Sequence, residues 1–427
     1  MNIIALSCCI LLVLLFLKLP VFMAVLAGSV TYFSLTPGIS TQIFAQRFIS
    51  GVENQPLLAV PFFVCSGVFM NYTGVTRRIM NFCEVITGRM YGGLGQVNVL
   101  LSTLMGGLSG SNLADAAMEA KMLVPEMEKQ GFSREFSSVV TAVSAMITPL
   151  IPPGIAMIIY GSIANVSIGR LFIAGIGPGV LLCIALMILV SLISHKRRYL
   201  PTRERALTVK EVFPVVRAAF LPLCLPLIII GGIRMGVFTP TEAGSVAIVY
   251  SLILGLIYRE MKLADLVKGI AETITTTASI MAIVGAAAAF AWVLTKERVP
   301  QNITNFIVNT IDNKYSFLLL VNIFLLAVGM FIEGNAAMIV LVPLLAPVAA
   351  RYNIPEIQFA MIFIFNMSIG ALSPPMGTLM FVTCGITKCK LKNFIIEAIP
   401  FYILLFICLL LLTFFPLFSL GIVNLVY

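Results

Sequence analysis

Apolar runs follow one another along the whole chain, near 3–35, 55–75, 90–112, 136–160, 168–193, 213–235, 240–258, 270–295, 315–332, 336–350, 356–383 and 394–420. About 20 such residues carry an α-helix across a bilayer. Inside lipid the backbone has no water to bond, so a spanning segment must satisfy its own polar groups, and a helix does. The alternating pattern of a membrane barrel is missing. Only 11% of the 427 residues are charged and 60% are hydrophobic, against roughly a quarter charged in an average soluble domain. That leaves too little polar surface to cover a soluble core. The expectation is an all-α polytopic membrane protein embedded in a lipid bilayer.

The first run does not read as a cleaved leader. No basic stretch precedes Ile3 to Leu17, and apolar sequence continues to Leu35 instead of giving way to a polar mature chain. Lys18 and Pro20 interrupt it, so 3–35 reads either as one tilted span or as a short interfacial helix followed by a span.

The net charge of +9 raises the question of nucleic acid. The basic residues gather in connections, above all in HKRRYLPTRERALTVK from His195 to Lys210, and again at Arg77, Arg78 and Arg89 and at Arg259, Lys262 and Lys268. None is interleaved with aromatics, so no nucleic-acid partner is expected. Under the positive-inside tendency the longest patch is a cytoplasmic loop. The nine cysteines are scattered without a CxxC pair, and His195 lies far from Cys384 and Cys389. Structural zinc and disulfide stapling are not supported.

Two segments are polar where a span should be apolar. In LGQVNVLLSTLMGGLSGSNLADAAMEAKMLVP, Gly106, Gly107 and Gly110 permit a tight bend, Ser109, Ser111 and Asn112 offer oxygens beside it, and Asp115 and Glu119 share one helix face. An acid at membrane depth usually faces a cavity or a partner; the alternative is a small-residue packing face with Asp115 near an interface. The stretches near 90–125 and 329–350 both suit re-entrant hairpins, tolerated only where protein or a cavity surrounds them. In TPLIPPGIAM, from Thr148, Pro152 and Pro153 remove two backbone donors and Gly154 adds freedom, so this span is broken. The carbonyls it strands need a polar partner, and a cation is one candidate.

Shifting the sequence by 222 residues repeats this arrangement: Gly107 falls on Gly329, Pro125 on Pro347, Pro152 on Pro374 and Pro153 on Pro375, without a gap. Each half therefore carries a glycine bend, a polar connection and a span broken by Pro-Pro. Interrupted apolar segments in corresponding places of two halves point to the binding site of a secondary transporter, with inverted repeats the commoner arrangement. In the second half Glu333 and Asn335 fall where the first has Ser111 and Leu113, and Asn366, Ser373 and Thr378 add oxygens. Such oxygens suit a hard cation such as sodium, and half-helix N-termini beside them favour an anion. Asn366 reads equally as a satisfied interhelical hydrogen bond. A third motif, GVFTPTEAGSVAIVY from Gly236, places Pro240 and Glu242 at a helix start; Glu242 is either a cap at the interface or part of a hinge between the halves.

On these motifs, densest at 107–131, 148–161, 236–260 and 329–382, the chain resembles the large, dicarboxylate-permease-type membrane subunit of tripartite ATP-independent periplasmic (TRAP) transporters along essentially its whole length. The resemblance implies a scaffold and a mobile unit with two helical hairpins, moving as an elevator in the bacterial inner membrane, driven by sodium without ATP and without any cofactor. It implies a small four-helix membrane subunit, expected as a separate polypeptide, a periplasmic binding protein that delivers the substrate, and a small organic acid as that substrate: a C4-dicarboxylate, keto acid, sugar acid or sialic acid. An ion-coupled carboxylate carrier working without a binding protein is the alternative reading. An enzyme is not expected, since Asp115 and Glu119 lack a catalytic partner set.

Carried over by motif, the first hairpin tip is Ser109, Gly110, Ser111 and Asn112 with Asp115 beside it. The second is centred on Ser373, Pro374, Pro375, Met376 and Gly377. Sodium is expected at Ser109, Gly110, Ser111, Asn112, Thr148, Pro152, Gly329, Glu333, Asn335, Ser373, Pro374 and Gly377. The acid is expected at Ser111, Asn112, Asp115, Asn366, Ser373, Pro375, Met376 and Thr378. The hinge falls on Pro153, Gly154, Pro240 and Glu242. Asn112, Ser373 and Met376 depart from the family's usual residues, yet oxygen donors persist around both bends. The expected division is 1–93 N-terminal scaffold, 94–193 first transport repeat, 194–212 basic loop, 213–315 central scaffold, 316–390 second transport repeat and 391–427 C-terminal helix.

Overall fold

The computed structural model describes residues 3–17 and 19–427, and no strand occurs among them. Seven helices within these residues are long and apolar enough to cross a membrane: Gln55–Tyr72, Ile168–Arg197, Val209–Arg234, Pro240–Tyr258, Leu263–Lys296, Gly334–Arg351 and Leu391–Phe414. A bent pair, Arg134–Leu150 with Ile155–Ala164, makes an eighth candidate, turning by 42° at its break. The stretch 3–35 forms two helices packed together, Ile3–Phe16 and Val21–Leu35. Pro20 immediately precedes the second of these, while Lys18 lies outside the described residues. The single C-terminal helix expected over 391–427 is two, Leu391–Phe414 and Leu417–Val426, separated at Phe415 and Pro416, and three helices went unread in the sequence, Thr41–Val52, Val75–Thr87 and Val299–Thr310. Each mixes polar and apolar residues, so a search for unbroken apolar runs passes over them.

The two polar segments form helical hairpins. The first pairs Gly93–Ser109 with Asn112–Lys129 and turns at Gly110 and Ser111. The second pairs Lys314–Gly329 with Gly334–Arg351 and turns at 330–333. This corrects the placement of the second tip at Ser373–Gly377. Those residues are the break of a discontinuous helix, Glu356–Leu372 followed by Thr378–Thr387. Their counterpart in the first half is 151–154, between the 3-10 turn Ala145–Leu150 and Ile155–Ala164. Pro-Pro marks a broken span in both halves, and the glycine bend marks the tip.

The halves interlock. Ile155–Ala164, the second piece of the first broken helix, packs on Gly334–Arg351 of the second hairpin, and Thr378–Thr387 packs reciprocally on Asn112–Lys129 of the first. Ser138 donates to Thr387 Oγ1 at 2.9 Å across this exchange. Within each half, a buried amide ties the hairpin's first arm to the broken helix. Ser144 donates to Asn98 Oδ1 at 3.0 Å and Asn98 Nδ2 donates to Thr141 Oγ1 at 2.7 Å. In the second half Asn366 Nδ2 donates to Asn322 Oδ1 at 2.8 Å, and Asn322 Nδ2 donates to Thr413 Oγ1 at 2.9 Å. Ser144 and Asn366 correspond under the 222-residue shift. Asn366 is thus a buried interhelical tie through its Nδ2, while its buried Oδ1 accepts no hydrogen bond from the described residues.

Close backbone approach repeats as well. A Cβ on Gly106 would lie 2.9 Å from Thr148 Cα, and a Cβ on Gly370, the shifted equivalent of Thr148, would lie 2.5 Å from both Gly329 C and Cα. The second contact is glycine on glycine, so no side chain separates tip arm from broken helix.

A further group of helices stands beside the hairpins. Leu263–Lys296 packs against Thr41–Val52, Val21–Leu35 and Ala59–Tyr72, and Ala59–Tyr72 packs on Pro240–Tyr258. Arg77 and Arg78 both pair with Glu260, joining two basic connections, and the Arg78 guanidinium lies 3.8 Å from the Tyr258 ring centroid. The longest basic patch is helical as far as Arg197, and its remainder folds back on 84–92, where Arg203 N donates to Gly88 O at 2.9 Å.

Gly370→Ala forces two backbones apart and should lower stability by about 1–3 kcal/mol, the usual cost of overpacking. Gly231→Ala, on a helix position with nothing within 4 Å of the added carbon, should be neutral or stabilising by about 0.4–1 kcal/mol. Thermal unfolding of the detergent-solubilised variants checks both; equal midpoints for the two would contradict the contact. In the same assay, a double-mutant cycle of Asn322→Ala and Asn366→Ala should show a coupling of about 1 kcal/mol, and no coupling would mean the amide tie is not formed.

Candidate functional site

Backbone chemistry dictates where the helices stop. Gly110 adopts φ +63°, and a Cβ there would lie 2.6 Å from Pro153 O. Only glycine lets the first tip settle on the carbonyl of the first break. Ser111 then turns extended and begins Asn112–Lys129. At the second tip Glu333 is the N-cap of Gly334–Arg351 and accepts from Ala336 N at 3.0 Å. Ile151 and Ser373, each directly before its Pro-Pro pair, are extended, as steric conflict with the following ring requires. Both Pro-Pro bonds are cis. Gly154 and Gly377 lead into the helices that resume after the breaks.

The consequence is a convergence of four helix starts on one cavity of about 430 Å³. Asn112 and Leu113, Ile155 and Ala156, Gly334 and Asn335, and Thr378 all line it, and each is in the first turn of its helix. Three of the four starts carry no side-chain cap, those led by Ser111, Gly154 and Gly377. Apart from Met157 N, which donates to Gly154 O at 3.1 Å, their first-turn amides have no side-chain partner, and the aligned peptide dipoles favour negative charge in that place. Among the described residues lining the cavity, Glu333 is the one ionisable side chain. Its carboxylate is already engaged with its own helix start. An anion held here would be bound by amides, hydroxyls and side-chain amides.

The expected residues divide between this cavity and the protein behind it. Gly110, Ser111, Asn112, Glu333, Asn335 and Thr378 line the cavity. Ser109, Thr148, Pro152, Gly329, Ser373, Pro374, Pro375, Met376 and Gly377 do not, and lie at the tips and breaks next to it. Asp115, expected on the substrate, is 1% exposed and accepts from Thr148 Oγ1 at 2.7 Å, off the cavity. Asn366 is withheld by its bond to Asn322 and by a second to Ile362 O at 2.8 Å. Ser373 donates to Ile369 O at 2.8 Å. Glu119 is buried and accepts from Ser102 at 2.7 Å.

Of the hinge residues, Pro153 and Gly154 are in the first break. Glu242 is exposed at a helix start away from the cavity, where it accepts from Thr239 N at 2.7 Å and Thr239 Oγ1 at 2.8 Å. Its side chain forms a capping box, the plainer of its two readings. Pro240 lines a separate cleft with Asn54 and Gln55.

One wall of the cavity escaped the sequence reading. Thr275, Thr276 and Ser279 come from Leu263–Lys296, outside both repeats. The signal was present as the hydroxyl-rich run ETITTTAS beginning at Glu272 in an otherwise apolar span. Without a break or an acid it looks like ordinary helix back-bonding.

Among solved structures, the chain superposes on the YdaH transporter of Alcanivorax borkumensis with a TM-score of 0.66 and 12% identity, covering 94% of this chain and 98% of that one. At that identity the likeness is one of fold: an all-α polytopic membrane architecture. Among curated proteins, it is 39% identical to the sialic acid TRAP transporter large permease protein SiaM of Vibrio cholerae, covering 95% of each chain. It is 36% identical to the C4-dicarboxylate TRAP transporter large permease protein DctM of Pseudomonas aeruginosa, covering 93% of each. The family profile described as "Tripartite ATP-independent periplasmic transporter, DctM component" matches residues 8–418. The chain therefore belongs to the TRAP transporter large permease family, and is a multi-pass transport protein of the bacterial inner membrane, not an enzyme.

Proposed function

We propose that this chain is the membrane carrier of a sodium-coupled, binding-protein-dependent importer of a small organic acid. The carrying observation is the cavity onto which four helices open, three of them uncapped. Helix starts are ready-made anion sites, and a cavity of about 430 Å³ has the size of a small-molecule pocket. The relatives named for sialic acid and for C4-dicarboxylate set the substrate class to be tried first. The partners are a small membrane subunit, as a separate chain, and a periplasmic binding protein that delivers the acid.

Sodium belongs at the tips and breaks beside the cavity. Ser109, Thr148 and the carbonyls near Pro152 and Pro153 supply hard oxygens in the first half, and Gly329, Ser373 and the carbonyls before Gly377 do so in the second. Hard monovalent cations prefer such donors over nitrogen or sulfur. With sodium in place, each tip is fixed against its break, and the positive charge completes the environment for an anion between them. Release of the acid follows movement of the unit made of both hairpins and both broken helices past the helices of 1–93 and 213–315, an elevator stroke.

In proteoliposomes holding the chain with its small partner, uptake of an acid from a loaded binding protein should require an inward sodium gradient. Sodium-driven uptake without the binding protein would instead establish a stand-alone carrier. No uptake of any acid by folded protein would overturn the organic-acid reading. Ser111→Ala and Thr378→Val should each raise the apparent KM for the acid about fivefold, one hydrogen bond's worth. Thr148→Val should move the sodium half-saturation instead. Kinetics in which all three variants shift only the acid KM would contradict the division into a cavity for the acid and tips for sodium.

A further inference from the structure

We propose that Thr276, with Ser279 one turn further on, is a substrate-positioning contact supplied from outside the two transport repeats. The inference rests on the organic-acid reading and extends it to a residue that neither the repeat nor the tip motifs contain.

Thr276 and Ser279 face the same cavity as Ser111, Asn112 and Asn335, and both are exposed to it. Their hydroxyls are not equivalent. Ser279 donates to Thr275 O at 2.9 Å, and Thr275 donates to Ala271 O at 2.9 Å, the usual back-bonding of hydroxyls in a helix. Each has given its proton away and keeps only acceptor capacity. Thr276 forms no hydrogen bond with its side chain among the described residues, whereas Thr273, Thr275 and Ser279 do; Thr277 Oγ1 also lacks a partner, but that oxygen is buried and Thr277 does not line the cavity. Thr276 lines the cavity beside Thr275, Ser279, Ile280 and Ile283 with its donor uncommitted. An uncommitted hydroxyl donor on this wall, opposite helix starts suited to a carboxylate, fits a second oxygen of the same acid.

The helix that carries it is held elsewhere. Leu263–Lys296 packs on Val21–Leu35, Thr41–Val52 and Ala59–Tyr72 as well as on Gly334–Arg351 of the second hairpin. An acid between the tips and Thr276 thus touches both the repeat unit and its surroundings at once. Thr276 orients the acid, and Ser279 receives any proton that the acid offers.

The test is kinetic, with the complete reconstituted transporter and a panel of succinate, pyruvate, gluconate and N-acetylneuraminate, each carried on the binding protein. For whichever acid the unmodified protein takes up, Thr276→Val should raise the apparent KM about fivefold while the maximal rate falls less than twofold and the sodium half-saturation stays put. Thr276→Ser, which restores the hydroxyl without the methyl, should return the KM to within twofold of the original. Ser279→Ala should add a smaller increase in the double variant. An unchanged KM for Thr276→Val would overturn the proposal. So would a Thr276→Ser protein as impaired as Thr276→Val, since packing and not the hydroxyl would then matter, or a sodium half-saturation that moves in parallel. If the double variant fails to fold, the two single variants carry the comparison alone. Should the unmodified protein take up none of the four acids, the organic-acid reading itself fails, and this contact with it.

Discussion

A helix cannot stop inside a membrane without leaving amides or carbonyls that need partners, and lipid offers none. This chain stops a helix at membrane depth four times, at two tips and two breaks. Much of the remaining architecture answers that problem. Tips are set against breaks, so Gly110 meets Pro153 O, and Gly329 meets Gly370. Each resumed half-helix is housed by the hairpin of the other repeat. What no side chain caps are the starts of three helices whose first turns line one cavity. The incomplete satisfaction of the backbone and the place for a ligand are the same feature.

The ties that hold the hairpins are small, polar and repeated. Asn98 with Ser144, and Asn322 with Asn366, bond the first arm of each hairpin to its broken helix inside an apolar surrounding. A buried amide pair of this kind fixes the alignment of two helices more than it adds to stability, because a shift by one residue would leave both groups unpaired. Close contacts between glycines remove the side chains that would otherwise hold tip and break apart. The unit is therefore rigid where it must keep four helix starts aimed at one place. Its contacts with Ala59–Tyr72, Val75–Thr87, Leu263–Lys296 and Val299–Thr310 are among those that a transport stroke would have to change.

Much of this was legible in the sequence because membrane chains advertise violations. Polar residues and Pro-Pro pairs inside apolar runs stand out, and their recurrence at 222 residues discloses the duplication. Ser111, Asn112, Glu333, Asn335 and Thr378, which line the cavity, were singled out that way. The errors have physical causes too. Pro-Pro is the strongest local disruption, so it attracted the second tip, whereas the actual bend at 330–333 needs no proline. Asp115 looked like a ligand because an acid in a membrane is costly, but Thr148 and burial hold it off the cavity. Thr276 was missed because its exposure depends on which face of a long helix meets the tips, which periodicity within a uniformly apolar span does not disclose. The amphipathic helices Thr41–Val52 and Val75–Thr87 were hidden by their ordinary composition.

The acid is held by helix starts and not by a basic side chain on this reading, since no described residue lining the cavity is basic. The most direct measurement is a structure of the chain with its small partner, determined with sodium and a transported acid. The bound carboxylate is predicted within hydrogen-bonding distance of first-turn amides at 112–114, 155–156 or 378–380. Its carboxylate paired with an arginine or lysine, or the acid seated outside this cavity, would contradict it.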